Sequence, residues 1–327
     1  MTRGEREESV EGFSCRSREP VLDEVDAKAA FGYFGSKLRL ARQILDCLPP
    51  HNCWVELCCG SAALTMAKKR AYIEVINDLD GDVVNVFRQL RDSRDALIRA
   101  IELTPYSREE FSASLSNAGK VNDLERARKF LVRAMMAVNG VLGQGRGGFS
   151  HSNSYARGGR EARVNRWVNY PARLKAVASR LRDVRIENRD AIELLTMFSS
   201  RPATLVYIDP PYLTDRTSGY SVDVEDERFH IKLLEQANAA RCMIAISGYD
   251  SDVYKEHLRT ANGWKRIDLG AYTRTTNGNS IARQERLWMN SVATQAKRDN
   301  TVPIRLSSKE KAEGKINPIR DACSNTK

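Results

Sequence analysis

Asp209-Pro210-Pro211-Tyr212 places an acid, two rigid residues and a flat ring directly after the apolar run Leu205-Val206-Tyr207-Ile208. Proline has no N–H, so two in succession end a sheet ladder and fix the turn that follows. Presented together, the Asp209 carboxylate and a backbone carbonyl can accept the two N–H bonds of a planar amino group. Tyr212 offers a face on which the attached heterocycle can stack. These four residues therefore suit the binding of an exocyclic amine. Asp-Pro also opens ordinary turns, so the rest of the chain must decide.

Two further constellations suit a nucleoside. "VELCCGSAALT" (55–65) is an apolar run that ends in Gly60, Ser61, Ala62 and Ala63 and leads into a helical pattern. Small residues let backbone approach a ligand, and a helix N-terminus favours polar or anionic groups. Asp78 closes the next apolar run, "YIEVIND" (72–78), close to the ~20-residue separation from the glycine turn at which an acid meets ribose hydroxyls. Asp80 and Asp82 nearby suit helix capping. The full GxGxxG fingerprint is absent and no proton-shuttling histidine stands out, which disfavours a nicotinamide dehydrogenase.

Charge points to a partner. The chain of 327 residues carries +10, and the window from Lys120 to Asp190 alone holds sixteen Lys and Arg against six Asp and Glu, the same excess. A basic block inside a folded region fits a polyanion. At its centre, "NGVLGQGRGGFSHSNSYARGGR" (139–160) mixes glycine and arginine with Phe149, His151 and Tyr155. Arg146, Arg157, Arg160 and Arg163 are its candidate phosphate contacts.

The elements that must position these residues alternate. Apolar runs at 53–59, 72–78, 204–208, 242–247 and 286–291 read as strands; helical spacing recurs at 38–48, 61–71, 83–92, 190–198, 231–240 and 254–261. Alternation of this kind predicts an α/β fold with a mostly parallel sheet and helices on both faces. The expected layout is a disordered lead at 1–28, a catalytic domain from 29–95 and 186–295, an inserted target-recognition region of helix and loop at 96–185, and a disordered basic tail at 296–327. No apolar run reaches the eighteen residues of a membrane span, and the charged first thirty residues lack the apolar core of a signal peptide. Seven scattered cysteines without a CxxC pair, and four histidines without ligand spacing, suggest neither a disulfide framework nor a metal; a cytoplasmic location fits.

"FGYFGSK" (31–37), "VELCCGSAALT", "VIND", "IENRDAIELL" and "YIDPPY" occur in this order. The set resembles the Dam-like class of DNA adenine-N6 methyltransferases over about 31–293, especially its phage and prophage branch through "WVNYPARLKAVASRLRDVRIENRDA", "ISGYDSDVY" and "RQERLWMN". The resemblance implies a Rossmann-like fold, S-adenosyl-L-methionine as cofactor and double-stranded DNA as substrate. It implies methyl transfer to adenine N6 by base flipping and direct in-line transfer. Catalysis would fall to Asp209, Pro210, Pro211 and Tyr212, and cofactor binding to Tyr33, Lys37 (near the methionine carboxylate), Glu56, Gly60, Asp78 and Asp190. A monomer is expected, and a restriction endonuclease partner is left open. The sequence departs from many members at Cys58, Cys59, Ala62 and Ala63, and 139–160 does not match the Dam recognition hairpin, so no target site carries over. Cytosine-N4 transfer, an RNA substrate and a silent DNA-binding relative remain alternatives; Asp at the head of the tetrapeptide, where cytosine enzymes more often carry Ser, favours adenine.

Overall fold

Short apolar runs bounded by turn residues build the parallel part of one sheet: β1 (Cys53–Glu56), β2 (Ile73–Asn77), β3 (Val184–Glu187), β4 (Thr204–Ile208) and β5 (Met243–Gly248). The computed structural model describes residues 28–33, 35–116, 121–138, 148–152, 159–213, 227–276 and 279–304. A long hairpin, β6 (Lys265–Thr276) and β7 (Asn279–Met289), completes seven strands in the order β3-β2-β1-β4-β5-β7-β6. β7 runs antiparallel to β5 and to β6; the remaining pairs are parallel. The order reverses between β1 and β4, and in open α/β sheets ligands bind at the carboxyl ends beside such a reversal.

Period-two alternation sorts the strand residues onto the two faces. On one face Trp54, Leu205, Tyr207, Leu287 and Met289 pack against α1 (Ala41–Cys47), the start of α2 (Ala63–Ala67) and α12 (Ser291–Asp299). On the other, Val55, Val206, Ile244 and Ile246 pack against α9 (Ala191–Phe198) and α10 (Glu227–Ala239). α11 (Asp252–His257) lies against α10. Each fully buried large side chain contributes roughly 1.5–3 kcal/mol.

The helices between β2 and β3 are α3 (Gly81–Asp92), α4 (Arg94–Glu102), α5 (Arg108–Leu115), α6 (Asp123–Met136), α7 (Ala162–Val168) and α8 (Tyr170–Leu181). They share one core with Phe31, Ile76, Val184 and Ile186. α6 leads into a bridge between Ala137 and Phe149, with Val138 N donating to Gly148 O at 3.0 Å, so the glycine-rich segment is closed at its base.

The Rossmann-like α/β architecture matches expectation. Three local expectations do not. The helix expected over 61–71 is only α2, because Ala62 sits in the left-handed region (φ 52°) and delays the start. β6 and β3 were not anticipated, and α12 runs through Asp299 with Ala296 buried, into the stretch expected as tail. The lead, apart from Lys28, and residues 305–327 of the tail lie outside the described residues. No helix among the described residues is long and apolar enough to cross a membrane.

Candidate active site

At the carboxyl ends of β1, β2 and β4 a cleft encloses about 800 Å³, part of it open to solvent. Its lining includes Tyr33, Lys37, Glu56, Gly60, Asp78, Asp190 and Asp209, so residues spread over 177 positions of sequence converge. Pro211 also lines it; Pro210 is buried behind, and Tyr212 stands beside the cleft rather than in its lining.

Alternation along β4 places Asp209 on the same face as Leu205 and Tyr207, toward α1 and the short 3-10 helix Lys37–Arg39. Lys37 Nζ lies 2.8 Å from Asp209 Oδ1 and 3.3 Å from Glu285 Oε1 on β7, and donates to Gly35 O at 3.1 Å. The Tyr212 hydroxyl reaches Asp209 Oδ1 at 3.0 Å and also Glu285 Oε1. Its ring packs edge-on against Tyr249, centroids 4.5 Å apart, with Lys37 Nζ 4.8 Å from its centroid. Asp209 Oδ2 makes no hydrogen bond to a described residue. The sequence resemblance puts Lys37 near the cofactor's methionine carboxylate; within the chain its ammonium lies between Asp209 and Glu285.

The glycine turn is tied to the acid after β2. Gly60 N donates to Asp78 Oδ2 at 2.7 Å, and Asp80 N to Asp78 Oδ1 at 3.0 Å. Gly60 has φ +47°, and a Cβ there would lie 2.7 Å from the Tyr33 ring. Glu56 braces β1 against α2: Oε2 accepts from Thr65 N at 2.9 Å and from the Thr65 hydroxyl, which itself accepts from Trp54 Nε1 at 2.7 Å. Asp190 caps α9, accepting from Ile192 N and Glu193 N at 2.8 and 3.2 Å.

Two residues of the site escaped the sequence reading. Asn77 is buried; its side chain donates to Leu57 O and Arg189 O and accepts from Arg189 N, locking the loops that carry Asp78 and Asp190. Glu285 is the other. On β7 it shares a face with Leu287 and Met289, and an acid in the apolar register of a strand is the signal that could have found it.

Burial first, then proximity, shifts the acids. Burial pushes Glu56 up to about 7 against its bonds from Thr65. Burial pushes Asp78 up to about 6. Asp209 also rises to about 6: burial leads, Lys37 opposes and Glu285 adds to the rise. Burial likewise holds the Cys58 and Cys59 thiols well above their usual range, so both are inert.

A carboxyl with a raised folded-state pKa contributes stability that is complete below its unfolded value and lost as pH rises through the folded one. For these acids the window is pH 4 to 7. His51, pushed down to about 4 by burial, acts oppositely as pH falls below about 6.5, but three acids outweigh one imidazole. The ligand-free protein is expected to melt roughly 5 °C higher at pH 5 than at pH 8. A lower melting temperature at pH 5 in differential scanning calorimetry would contradict the burial of these groups.

The predicted phosphate contacts divide. Arg160 is exposed and Arg163 half-buried at the start of α7, and neither forms an ion pair with a described residue; Arg146 and Arg157 lie outside the described residues. Much of the basic window is committed internally: Arg133 approaches Asp82, Arg128 pairs with Glu110 and buried Arg180 with Glu74.

A mostly parallel sheet closed by an antiparallel hairpin, a glycine turn after β1, an acid after β2 and Asp-Pro-Pro-Tyr after β4 define a Rossmann-like methyltransferase. The chain belongs to the D12 class of N6 adenine-specific DNA methyltransferases, whose family model matches residues 33–265. It is similar to the Haemophilus influenzae protein HI0767, described as a methylase, at 11% identity and TM-score 0.33, covering 78% of this chain and 95% of that one. A SAM-dependent methyltransferase from Agrobacterium tumefaciens is similar at 13% identity and TM-score 0.24, covering 40% of this chain and 47% of that one. No curated protein matches the sequence. The enzyme is thus an adenine-N6-specific DNA methyltransferase.

Proposed function

We propose that the turn Asp209–Tyr212 receives an adenine flipped out of double-stranded DNA and holds its N6 amino group for direct in-line methyl transfer. The observation that carries this reading is the division of labour within Asp209: Oδ1 is held by Lys37 and Tyr212, while Oδ2 has no described partner and the residue lines the cleft. A stacked base cannot reach such a pocket, and flipping costs a few kcal/mol. Asp209 Oδ2 and the Pro210 carbonyl would accept the two amino N–H bonds, and Tyr212 would offer its ring to the base. Localising the nitrogen lone pair and stabilising the developing positive charge are then the main contributions. The new N–C bond would form as the methyl's bond to sulfur breaks and leaves a thioether, and the amino proton would pass to solvent afterwards, so Asp209 need not be a strong base.

The cleft fits the cofactor. Four acids, Glu56, Asp78, Asp190 and Asp209, suit a cation bearing a ribose, and Gly60 brings backbone close where a Cβ would strike Tyr33. Bound S-adenosylmethionine supplies the methyl group from its sulfonium. Asp78 would hold the ribose hydroxyls, Asp190 the adenine end, and Tyr33, Glu56 and Gly60 would shape the floor. Lys37 would orient Asp209.

Arg160 and Arg163 would contact phosphates, with Arg146 and Arg157. Replacing Arg160 and Arg163 by Ala is expected to weaken DNA binding and to flatten the dependence of log affinity on log salt by about 1–2, with cofactor affinity unchanged. Fluorescence anisotropy across a salt series checks this; an unchanged slope would remove them from the interface. A phage or prophage relation and a monomeric state are carried by the motif resemblance, and a cytoplasmic location by the scattered cysteines; a restriction endonuclease partner is left open.

The single test of the reading is transfer of labelled methyl groups to unmethylated double-stranded DNA of mixed sequence, followed by nucleoside mass spectrometry. N6-methyladenine is expected; N4-methylcytosine alone would overturn the amine assignment.

A further inference from the structure

Glu285 is 6% exposed, yet it carries a carboxylate into the apolar register of β7. Its Oε1 meets two groups at once, the Lys37 ammonium at 3.3 Å and the Tyr212 hydroxyl. Both also contact Asp209 Oδ1. A hydroxyl has one proton to donate, so Tyr212 bridges two acids and can donate to only one at a time. One ammonium likewise serves two carboxylates. With both acids ionised the group of four carries one negative charge more than it neutralises.

Resting on the proposed role of Asp209, we propose that Glu285 is a positioning residue of the transfer reaction. It holds the Lys37 ammonium and the Tyr212 hydroxyl between itself and Asp209. The acceptor acid and the tyrosine ring thereby keep one orientation. Among the described residues, the shared ammonium leaves a net negative charge on the group beside the amino nitrogen on which positive charge develops. Without Glu285, Lys37 would neutralise Asp209 alone, and the Tyr212 hydroxyl would lose its second anchor.

The groups facing Asp209 come from four places: Lys37 before α1, Glu56 at the end of β1, Tyr212 on its own turn and Glu285 on β7. Tyr207, Tyr254 and Cys58 also face it; burial raises all three, and they stay neutral. Glu285 is the member of the set whose removal lowers the Asp209 pKa without touching the cleft lining.

The test is Glu285→Gln, which keeps the size and removes the charge, assayed on unmethylated double-stranded DNA of mixed sequence. The expected result is a kcat lower by roughly 10- to 100-fold, an unchanged cofactor KM, and an acid limb of the kcat–pH profile moved to lower pH. In the Glu285→Gln background, Tyr212→Phe should cost much less than it does in the wild type, because the two side chains act as one unit. A wild-type kcat and acid limb would overturn the proposal, as would a loss of kcat matched by equal losses of cofactor affinity and melting temperature. Should Glu285→Gln fail to fold, Tyr212→Phe carries the test, and a wild-type kcat there overturns it. Asp209→Ala run in parallel separates the two readings. An active Asp209→Ala defeats the proposed function itself, whereas an inactive one beside a wild-type Glu285→Gln defeats only the role of Glu285.

Discussion

Asp209→Ala is expected to abolish methyl transfer, by about a thousandfold or more, in a protein that still folds and still binds S-adenosylmethionine. Removing one preorganised hydrogen-bond partner of a developing charge costs on the order of 10²–10³ in rate. Here the change removes both the acceptor and the negative charge. The usual hazard of deleting half a buried ion pair is an orphaned partner. That hazard is small at this site, because Lys37 Nζ retains Glu285 at 3.3 Å and Gly35 O at 3.1 Å. Asp209 is itself held up at about 6 by burial, so its loss relieves a desolvated acid. Rate and cofactor affinity therefore separate: single-turnover transfer reads the first and isothermal titration calorimetry the second. Retained transfer would remove Asp209 from the chemistry. Lost cofactor binding would make it a cofactor ligand instead.

Gly60→Ala should produce the opposite pattern, with cofactor binding failing first. The added Cβ would lie 2.7 and 2.8 Å from two carbons of the Tyr33 ring, distances at which something must move. The backbone at φ +47° adds the left-handed penalty of about 1–2 kcal/mol. Tyr33 has little freedom to retreat, since its ring lies edge-on to Phe31, which is itself buried against Phe87 and Phe130. If the turn shifts instead, Gly60 N leaves Asp78 Oδ2 and the ribose acid loses a bond that orients it. The expected result is a cofactor Kd raised by roughly 10- to 100-fold and a stability loss of about 1–3 kcal/mol. Calorimetry and thermal melts check both, and wild-type affinity would show that the turn does not touch the cofactor.

These two residues could be read in the sequence because each sits at the end of a short apolar strand, where composition changes abruptly. β1, β4 and β5 are fully buried runs, β2 is buried beyond Ile73, and all are followed by Gly, Asp or Pro, a signal that needs no long-range information. β3 is only Val-Arg-Ile-Glu at a sheet edge, with an exposed arginine, and β6 is largely polar, so neither carries it. α12 hid for a related reason: its buried face is Val292, Ala293 and Ala296, apolar but small.

Pairings across distance were not legible. Lys37 lies 172 positions before Asp209, and Glu285 follows Tyr212 by 73, so nothing local announces that they meet. The basic window misled in the same way. Arg128 pairs with Glu125 inside the window, but acids outside it, Glu110, Asp82 and Glu74, also meet Arg128, Arg133 and Arg180. The charge left for DNA is smaller than the window implies, and Arg160 and Arg163 belong to the part of it without an ion pair among the described residues.

The most direct measurement is single-molecule, modification-sensitive sequencing of DNA from cells expressing the wild-type chain beside cells expressing Asp209→Ala. The account predicts N6-methyladenine in a short sequence motif in the first sample and its absence from the second. Methylated adenine persisting in the variant, or modification confined to cytosine, would contradict it.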